Sequence, residues 1–236
     1  MGRFLIKFTK EGEIRYISHL DLLRVFQRAF RRTDVRLRYS QGYNPHPKIS
    51  FAMPLSLGFE SRGEYVEIET ESGHGPEQII RELAESMPRG LQVLACSPLA
   101  ETSKTSPGAA VEFASYTAEY RGDDAAMRDS LVAGILPFLG EKEIISVKYS
   151  KKKKKDIETD IRPSIRSLSS ASDTRLLLTM MLKAGNVGNL NPEQLVKALC
   201  RFCGREYLEY EWRYRRLDMF FRDGKGRIRP LTDFKG

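Results

Sequence analysis

The stretch 15–59 constrains the fold most, because it joins a strongly amphipathic helix to a long loop rich in glycine and proline. Ser18 and Asp21 have the S-x-x-D spacing of a capping box, which predicts a helix over residues 18–32. The connection 39–57 is punctuated by Gly42 and three prolines, and a loop of this length inside a compact domain is usually functional or mobile.

The predicted helix has two different faces. An apolar stripe at helical spacing is expected to face a core, and it comprises Leu20, Leu23, Phe26, Gln27 and Phe30. Another face carries arginines at i, i+4, i+7 and i+8, namely Arg24, Arg28, Arg31 and Arg32. The helix therefore anchors with one side and offers guanidinium groups on the other.

The positive charge of the chain is concentrated near this helix. The net charge is +8 over 236 residues, and residues 1–50 alone hold eleven Lys/Arg against four Asp/Glu. An excess of this kind favours polyanionic partners, with nucleic acid first and acidic protein surfaces second.

The order of predicted elements indicates an α+β fold made of two tandem ferredoxin-like (βαββαβ) domains. Residues 1–100 form the first domain, residues 101–109 a linker of low hydrophobicity, and residues 110–236 a second, less regular domain. In the first domain strands are predicted at residues 3–9, from the alternation of Phe4, Ile6 and Phe8, and at residues 34–38. In the second domain a helix is predicted at residues 192–202, one extra strand is expected near residues 157–167, and the last strand is predicted at Arg205–Leu217.

Four residues that follow the helix complete a candidate nucleic-acid site together with the arginines: Tyr39, Tyr43, His46 and Lys48. Arginine and lysine suit a phosphate backbone, and tyrosines suit stacking of bases. The alternative interpretation is a solvated helix face whose arginine stems cover apolar surface.

Two of the histidines also permit a catalytic interpretation. His19 lies in the first helical turn, where the helix dipole favours a neutral imidazole, and His46 lies in a stiff N-P-H-P-K loop. Either could act as a general base in metal-free RNA cleavage, with Lys48 stabilising the developing charge. The simpler interpretation makes His19 an orienting residue of the helix start and the loop a recognition element without chemistry.

Other features predict no cofactor and no metal site. The three cysteines cannot form a disulfide framework, and Cys200 and Cys203 fall at the end of a predicted helix, which favours structural thiols. No apolar run approaches a membrane span and no signal-peptide pattern is present, so we expect a cytoplasmic protein. The run Lys151–Lys155 reads equally as a solvated segment or as a phosphate-contacting loop.

Three motifs carry a resemblance to a known family: Y-I-S-H-L-D at 16–21, R-A-F-R-R at 28–32 and Y-S-Q-G-Y-N-P-H-P-K-I at 39–49. They closely resemble the radical SAM-linked protein family, whose members occur as separate chains or fused to a radical SAM enzyme. The resemblance implies an accessory protein with such an enzyme as its partner. The chain lacks the C-x3-C-x2-C set that would hold a radical SAM cluster.

The layout of helix and loop is also similar, over roughly the first 60 residues, to the CRISPR repeat-processing endoribonucleases. Three functions therefore stay open at this point. The leading one is a non-catalytic RNA-binding accessory of a radical SAM enzyme. The others are a metal-independent endoribonuclease and a protein–protein adaptor that grips an acidic partner.

Overall fold

The structure, a computed structural model, describes residues 2–71, 73–103, 105–150, 154–172 and 175–236. The described residues contain eleven strands and five α-helices. In chain order these are β1 (Gly2–Lys10), α1 (His19–Phe30), β2 (Ile49–Phe51), β3 (Glu60–Thr70), α2 (Pro76–Ser86), β4 (Val93–Pro98), α3 (Pro107–Ala110), β5 (Val111–Tyr120), α4 (Ala125–Gly140), β6 (Ile145–Ser150), β7 (Lys155–Asp160), β8 (Ile165–Ser172), β9 (Leu176–Lys183), α5 (Pro192–Phe202), β10 (Trp212–Arg222) and β11 (Ile228–Pro230). This content confirms the predicted mixed α+β class.

The chain divides into two compact units whose boundaries differ from the predicted domain ends. Unit 1 comprises Met1–Glu112 together with Arg216–Gly236, and unit 2 comprises Phe113–Arg215. The C-terminal 21 residues thus belong with unit 1 instead of the second domain. The predicted linker 101–109 also lies in unit 1, where Ser106 caps the short helix α3 by accepting from the Ala109 N–H. A local pattern could not reveal the return of the chain to unit 1.

Unit 1 is built on an antiparallel sheet in which β1 lies between β3 and β4, while β2 pairs with β3. The inward side chains of β1 are Phe4, Ile6 and Phe8, as their alternation predicted, and all are buried. They pack with Phe26 of α1 and Leu83 of α2 in one core. The rings of Phe8 and Phe26 meet edge to face with centroids 4.8 Å apart.

Helix α1 begins as predicted, with Ser18 as its N-cap. The Ser18 Oγ accepts from the Asp21 N–H at 3.1 Å and donates to the Asp21 carboxylate at 2.7 Å. The hydrogen bonds from Ser18 and then Arg24 hold the pKa of Asp21 below its usual value. The capping interaction fixes where the helix starts and leaves its N-terminal carboxylate ionised.

The predicted apolar stripe of α1 is correct in part. The buried residues of the helix are Leu22, Phe26, Ala29 and Phe30, whereas Leu20 is 63% exposed. The helix is rotated so that Phe26 meets Phe8 and Phe51, and this rotation places Leu20 on the outer side with the arginines. The outward orientation of the arginines is unaffected.

A buried ion pair links β10 to β3 within unit 1. The Arg216 guanidinium donates to both carboxylate oxygens of Glu64, at 2.9 and 3.2 Å, and to the Pro54 carbonyl at 2.9 Å. Both side chains are almost completely buried. Burial raises the pKa of Glu64, while the charge of Arg216 opposes that rise. The C-terminal segment is therefore held to the rest of unit 1 by this ion pair as well as by strand pairing.

Unit 2 contains an antiparallel sheet in which β9 lies between β5 and β8. Its helix α5 matches the predicted residues 192–202, with Asn191 as N-cap accepting from the Glu193 N–H. The single extra strand expected near residues 157–167 is two strands, β7 and β8, and β7 pairs with β6 in a separate two-stranded sheet. The last strand begins at Trp212 instead of Arg205, because a 3-10 turn at Glu209–Glu211 precedes it.

Candidate functional site

Helix α1 ends two residues before the predicted end at residue 32, and Arg31 and Arg32 follow it directly. We define the arginine face of α1 as Arg24 and Arg28 together with these two residues, and all four side chains are exposed. Arg24 pairs with Asp21 at 2.8 Å across one turn, with both side chains more than half exposed. Arg32 donates to the Ser86 carbonyl at the end of α2, so part of its role is to cap that helix. Within the described part of the chain, the side chains of Arg28 and Arg31 have no hydrogen-bonding or ionic partner.

The 39–48 loop is closed by backbone hydrogen bonds across its base. The Ser40 N–H donates to the His46 carbonyl at 2.8 Å, and the Lys48 N–H donates to the Arg38 carbonyl at 2.8 Å. The Ser40 hydroxyl also accepts from the His46 N–H at 2.9 Å. These contacts hold the loop as a narrow hairpin, although the predicted strand 34–38 before it forms an isolated bridge between Leu37 and Thr70.

The two tyrosines of the loop have different settings. Tyr39 lies at the base, paired with Pro47, and its side chain is half exposed. Tyr43 lies at the tip beside Gly42, whose φ of +126° is a conformation that glycine adopts readily, and Tyr43 is fully exposed. The backbone of Tyr39 is thus held by strand-type pairing, whereas Tyr43 is surrounded by solvent.

The positive charge of Lys48 is already partnered. Its ammonium donates to both carboxylate oxygens of Glu69, at 3.0 and 2.8 Å, and Arg38 donates to the same carboxylate at 3.0 Å. The exposed His19 ring packs edge to face on Phe51 with centroids 5.2 Å apart. The His46 ring is exposed, and among the described residues neither imidazole is hydrogen-bonded to Lys48.

A groove of about 300 Å³ lies between the end of α1 and the base of the 39–48 loop. Its lining includes Arg31, Tyr39 and the partly exposed Leu37, together with the buried Phe30 and Val35. We call it the Tyr39 groove. It brings together one arginine and one tyrosine of the predicted site, whereas the other predicted residues lie outside its lining, namely Arg24, Arg28, Arg32, Tyr43, His46 and Lys48.

Arg36 also lines the Tyr39 groove and was not among the site residues predicted from the sequence. Its side chain is exposed and, in the described ranges, has no partner. The backbone of Arg36 is fixed on both sides, because its N–H donates to His74 Nε2 at 3.1 Å and its carbonyl accepts from the Glu71 N–H at 2.9 Å. Its place in the basic cluster 24–38 was the signal available in the sequence. Residues 34–38 were interpreted only as a strand, so Arg36 was not considered as a site residue.

The predicted cysteines, Lys154 and Lys155 are not among the residues that line this groove. Burial raises the pKa of Cys96 and of Cys200 to about 12, so neither thiol is ionised at neutral pH. Over the residues that the structure describes, no three His, Cys, Asp or Glu side chains are grouped as metal ligands, and no helix is long and apolar enough to cross a membrane. Residues 151–153 of the lysine run lie outside the described residues, whereas Lys154 and Lys155 are exposed.

Comparisons with known proteins identify a family and two distant structural likenesses. A family model described as "Uncharacterized protein conserved in bacteria (DUF2344)" matches residues 3–192. No curated protein matches the chain at a significant level. The chain is similar to the "Crystal Structure of a Cbf5-Nop10-Gar1 Complex" at 12% identity and a TM-score of 0.49, over 92% of this chain and 48% of that one. It is similar to the "X-ray crystal structure of a heavy metal efflux pump, crystal form II" at 10% identity and a TM-score of 0.23, over 93% of this chain and 28% of that one. This chain thus covers less than half the length of each of the two solved chains.

Proposed function

The chain belongs to the DUF2344 family of bacterial proteins, and we propose that it binds RNA through the arginine face of α1 and the 39–48 loop. The observation that carries the proposal is that Arg28 and Arg31 have exposed guanidinium groups without partners among the described residues. Charges left free on a folded surface can contact phosphates without first breaking an internal ion pair. Counterion release then favours a polyanion.

Aromatic and apolar surface beside the arginines favours RNA over an acidic protein as the polyanion. Tyr39 is half exposed next to Arg31, and Tyr43 is fully exposed at the loop tip. Nucleic acid offers both phosphates and flat bases, so one ligand would occupy both kinds of surface. An acidic protein partner would meet the same charges, and competition by an acidic polypeptide separates it from RNA.

The contacts of Lys48 favour RNA binding without RNA cleavage. Charge stabilisation of a transition state requires a donor aimed at the developing charge. Here the Lys48 ammonium is directed at the Glu69 carboxylate, which also accepts from Arg38. A catalytic Lys48 would have to leave that carboxylate first.

The partnership with a radical SAM enzyme is part of the same proposal and rests on the motif resemblance at residues 16–21, 28–32 and 39–49. The chain would then present RNA to an enzyme that supplies the cluster, since its own cysteines lack the required spacing. The assignment of each unit as a ferredoxin-like domain is likewise a proposal. It is supported by the order β1-α1-β2-β3-α2-β4 in unit 1 and β5-α4-β8-β9-α5 in unit 2, apart from the β6–β7 pair.

A direct test is the binding of fluorescently labelled RNA to the purified protein, followed by anisotropy in EDTA and by electrophoresis of the RNA afterwards. We expect saturable binding that weakens as salt rises, with the RNA recovered intact, because phosphate contacts need neither metal nor bond cleavage. An acidic polypeptide of equal charge serves as the competitor. Failure to bind RNA, or equal competition by the polypeptide, would remove the RNA proposal, whereas cleavage in EDTA would favour an endoribonuclease.

A further inference from the structure

We propose that the Tyr39 groove holds one unpaired nucleotide, so that this chain binds single-stranded RNA in preference to duplex RNA. The inference rests on the proposed function and adds the class of RNA to it. It depends on the size of the groove, the surface of its floor and the two arginines at its edge.

The size of the groove sets the number of bases that can enter. Its volume of about 300 Å³ is at the lower end of the range of pockets that hold small ligands, about 300–1,000 Å³. One base fits such a space, whereas a base pair within a helix does not. In duplex RNA the bases are also stacked inside an A-form helix, and protein side chains cannot reach into its deep, narrow major groove to contact them.

The floor of the groove suits a flat aromatic ligand better than a small anion. Leu37 and Pro47 are partly exposed and supply the apolar lining that a ligand can contact, whereas Phe30 and Val35, which also line the groove, are almost completely buried. A phosphate alone would gain nothing from this surface. A base that enters would cover it and stack on an aromatic neighbour.

Tyr39 is that aromatic neighbour, and its backbone is held before any ligand binds. It bridges to Pro47, and the hydrogen bonds between Ser40 and His46 close the loop directly beyond it. Because the backbone is already ordered, stacking of a base costs only the side-chain freedom of the ring. Stacking of one base on such a ring contributes about tenfold in affinity.

The edge of the groove carries groups for the rest of the nucleotide. Arg31 and Arg36 line it, and neither guanidinium has a partner among the described residues, so both are available for the phosphates on the two sides of the inserted base. Gln27 and Glu71 add an amide and a carboxylate that can hydrogen-bond the edge of the base. Because Glu71 would repel a phosphate, the phosphates are expected on the arginine side.

The test compares an unstructured RNA of about twelve nucleotides, as a single strand, with the same strand annealed to its complement. We expect the single strand to bind about tenfold more tightly to the wild-type chain. Tyr39→Ala should remove most of that preference while leaving duplex binding within about twofold. Tyr39→Phe, which keeps the ring, should retain it.

Tyr210→Ala is the matched control, because it deletes an exposed tyrosine that lies outside the 39–48 loop and does not line the groove. Circular dichroism of each variant checks that it is folded. If the duplex binds as well as the single strand, or if Tyr39→Ala and Tyr210→Ala lower single-strand affinity equally, the inference is overturned while RNA binding stands. If neither RNA binds the wild-type chain, the proposed function fails and the inference fails with it.

Discussion

Replacing Arg216 with methionine is expected to lower the free energy of unfolding by about 3–5 kcal/mol. Arg216 and Glu64 are only 2% and 3% exposed, so the change would leave a carboxylate buried without its cation. It would also remove the donor to the Pro54 carbonyl. The loss should appear in urea-induced unfolding followed by far-UV circular dichroism.

Two further variants separate this effect from ordinary loss of a side chain. Changing Glu64→Leu together with Arg216→Met should recover part of the stability, because a buried ion pair can be replaced by apolar residues at little cost, although the Pro54 carbonyl still lacks its donor. Arg175→Met, which breaks the more exposed pair with Glu119, should cost less than about 1 kcal/mol. Equal losses for Arg216→Met and Arg175→Met would contradict the importance of the buried pair.

Replacing Arg24, Arg28 and Arg31 together with alanine is expected to weaken RNA binding strongly and to make it less sensitive to salt. Each guanidinium that contacts a phosphate of a single strand contributes about 0.7 to the slope of log K against log salt, so the slope should become shallower by about 2. Arg32 is left in place because it donates to the Ser86 carbonyl of α2. The helix itself should persist, since alanine is the strongest helix former.

The matched control removes the same charge from exposed positions elsewhere, with Arg81→Ala, Arg175→Ala and Arg201→Ala combined. This variant should retain nearly the whole salt slope of the wild-type chain, because its arginines lie off the arginine face. If the control variant lowers the slope of log K against log salt as much as the replacement of Arg24, Arg28 and Arg31 does, then general positive charge, and not this face, attracts the RNA.

The parts of the fold that could be predicted from sequence are those fixed by local interactions. Ser18 and Asn191 cap α1 and α5 through their own side chains, so both helix starts were predictable from residues within one turn. The strand β1 was predictable because its alternating side chains have a buried face.

The remaining parts depend on contacts that are distant in sequence. Leu20 fits a helical stripe but is exposed, because the rotation of α1 is set by Phe26 packing against Phe8 and Phe51. Similarly, Leu208 and Tyr210 match the alternation of the last strand but precede it, and Tyr210 is 81% exposed. Alternation alone does not tell where strand pairing begins.

The candidate site shows the same division between local and distant information. The four arginines of the arginine face share one side because they follow helical spacing, and that spacing can be recognised in the sequence itself. The Tyr39 groove combines α1, residues 33–37 and Pro47, and it closes only after the loop has folded back on itself. Arg36 is a candidate RNA-binding residue only because the folded loop places it in the groove lining. Lys48 is bound by the carboxylate of Glu69, which lies 21 residues away along the chain.

The most direct test of the central claim is ultraviolet crosslinking of the full chain to single-stranded RNA, with the crosslinked peptides identified by mass spectrometry. We expect crosslinks within residues 24–48, with Tyr39 prominent because it lines the same groove as Arg31 and Arg36. Crosslinks confined to residues 113–215 of unit 2 would contradict it, as would crosslinking that the triple replacement of Arg24, Arg28 and Arg31 leaves unchanged.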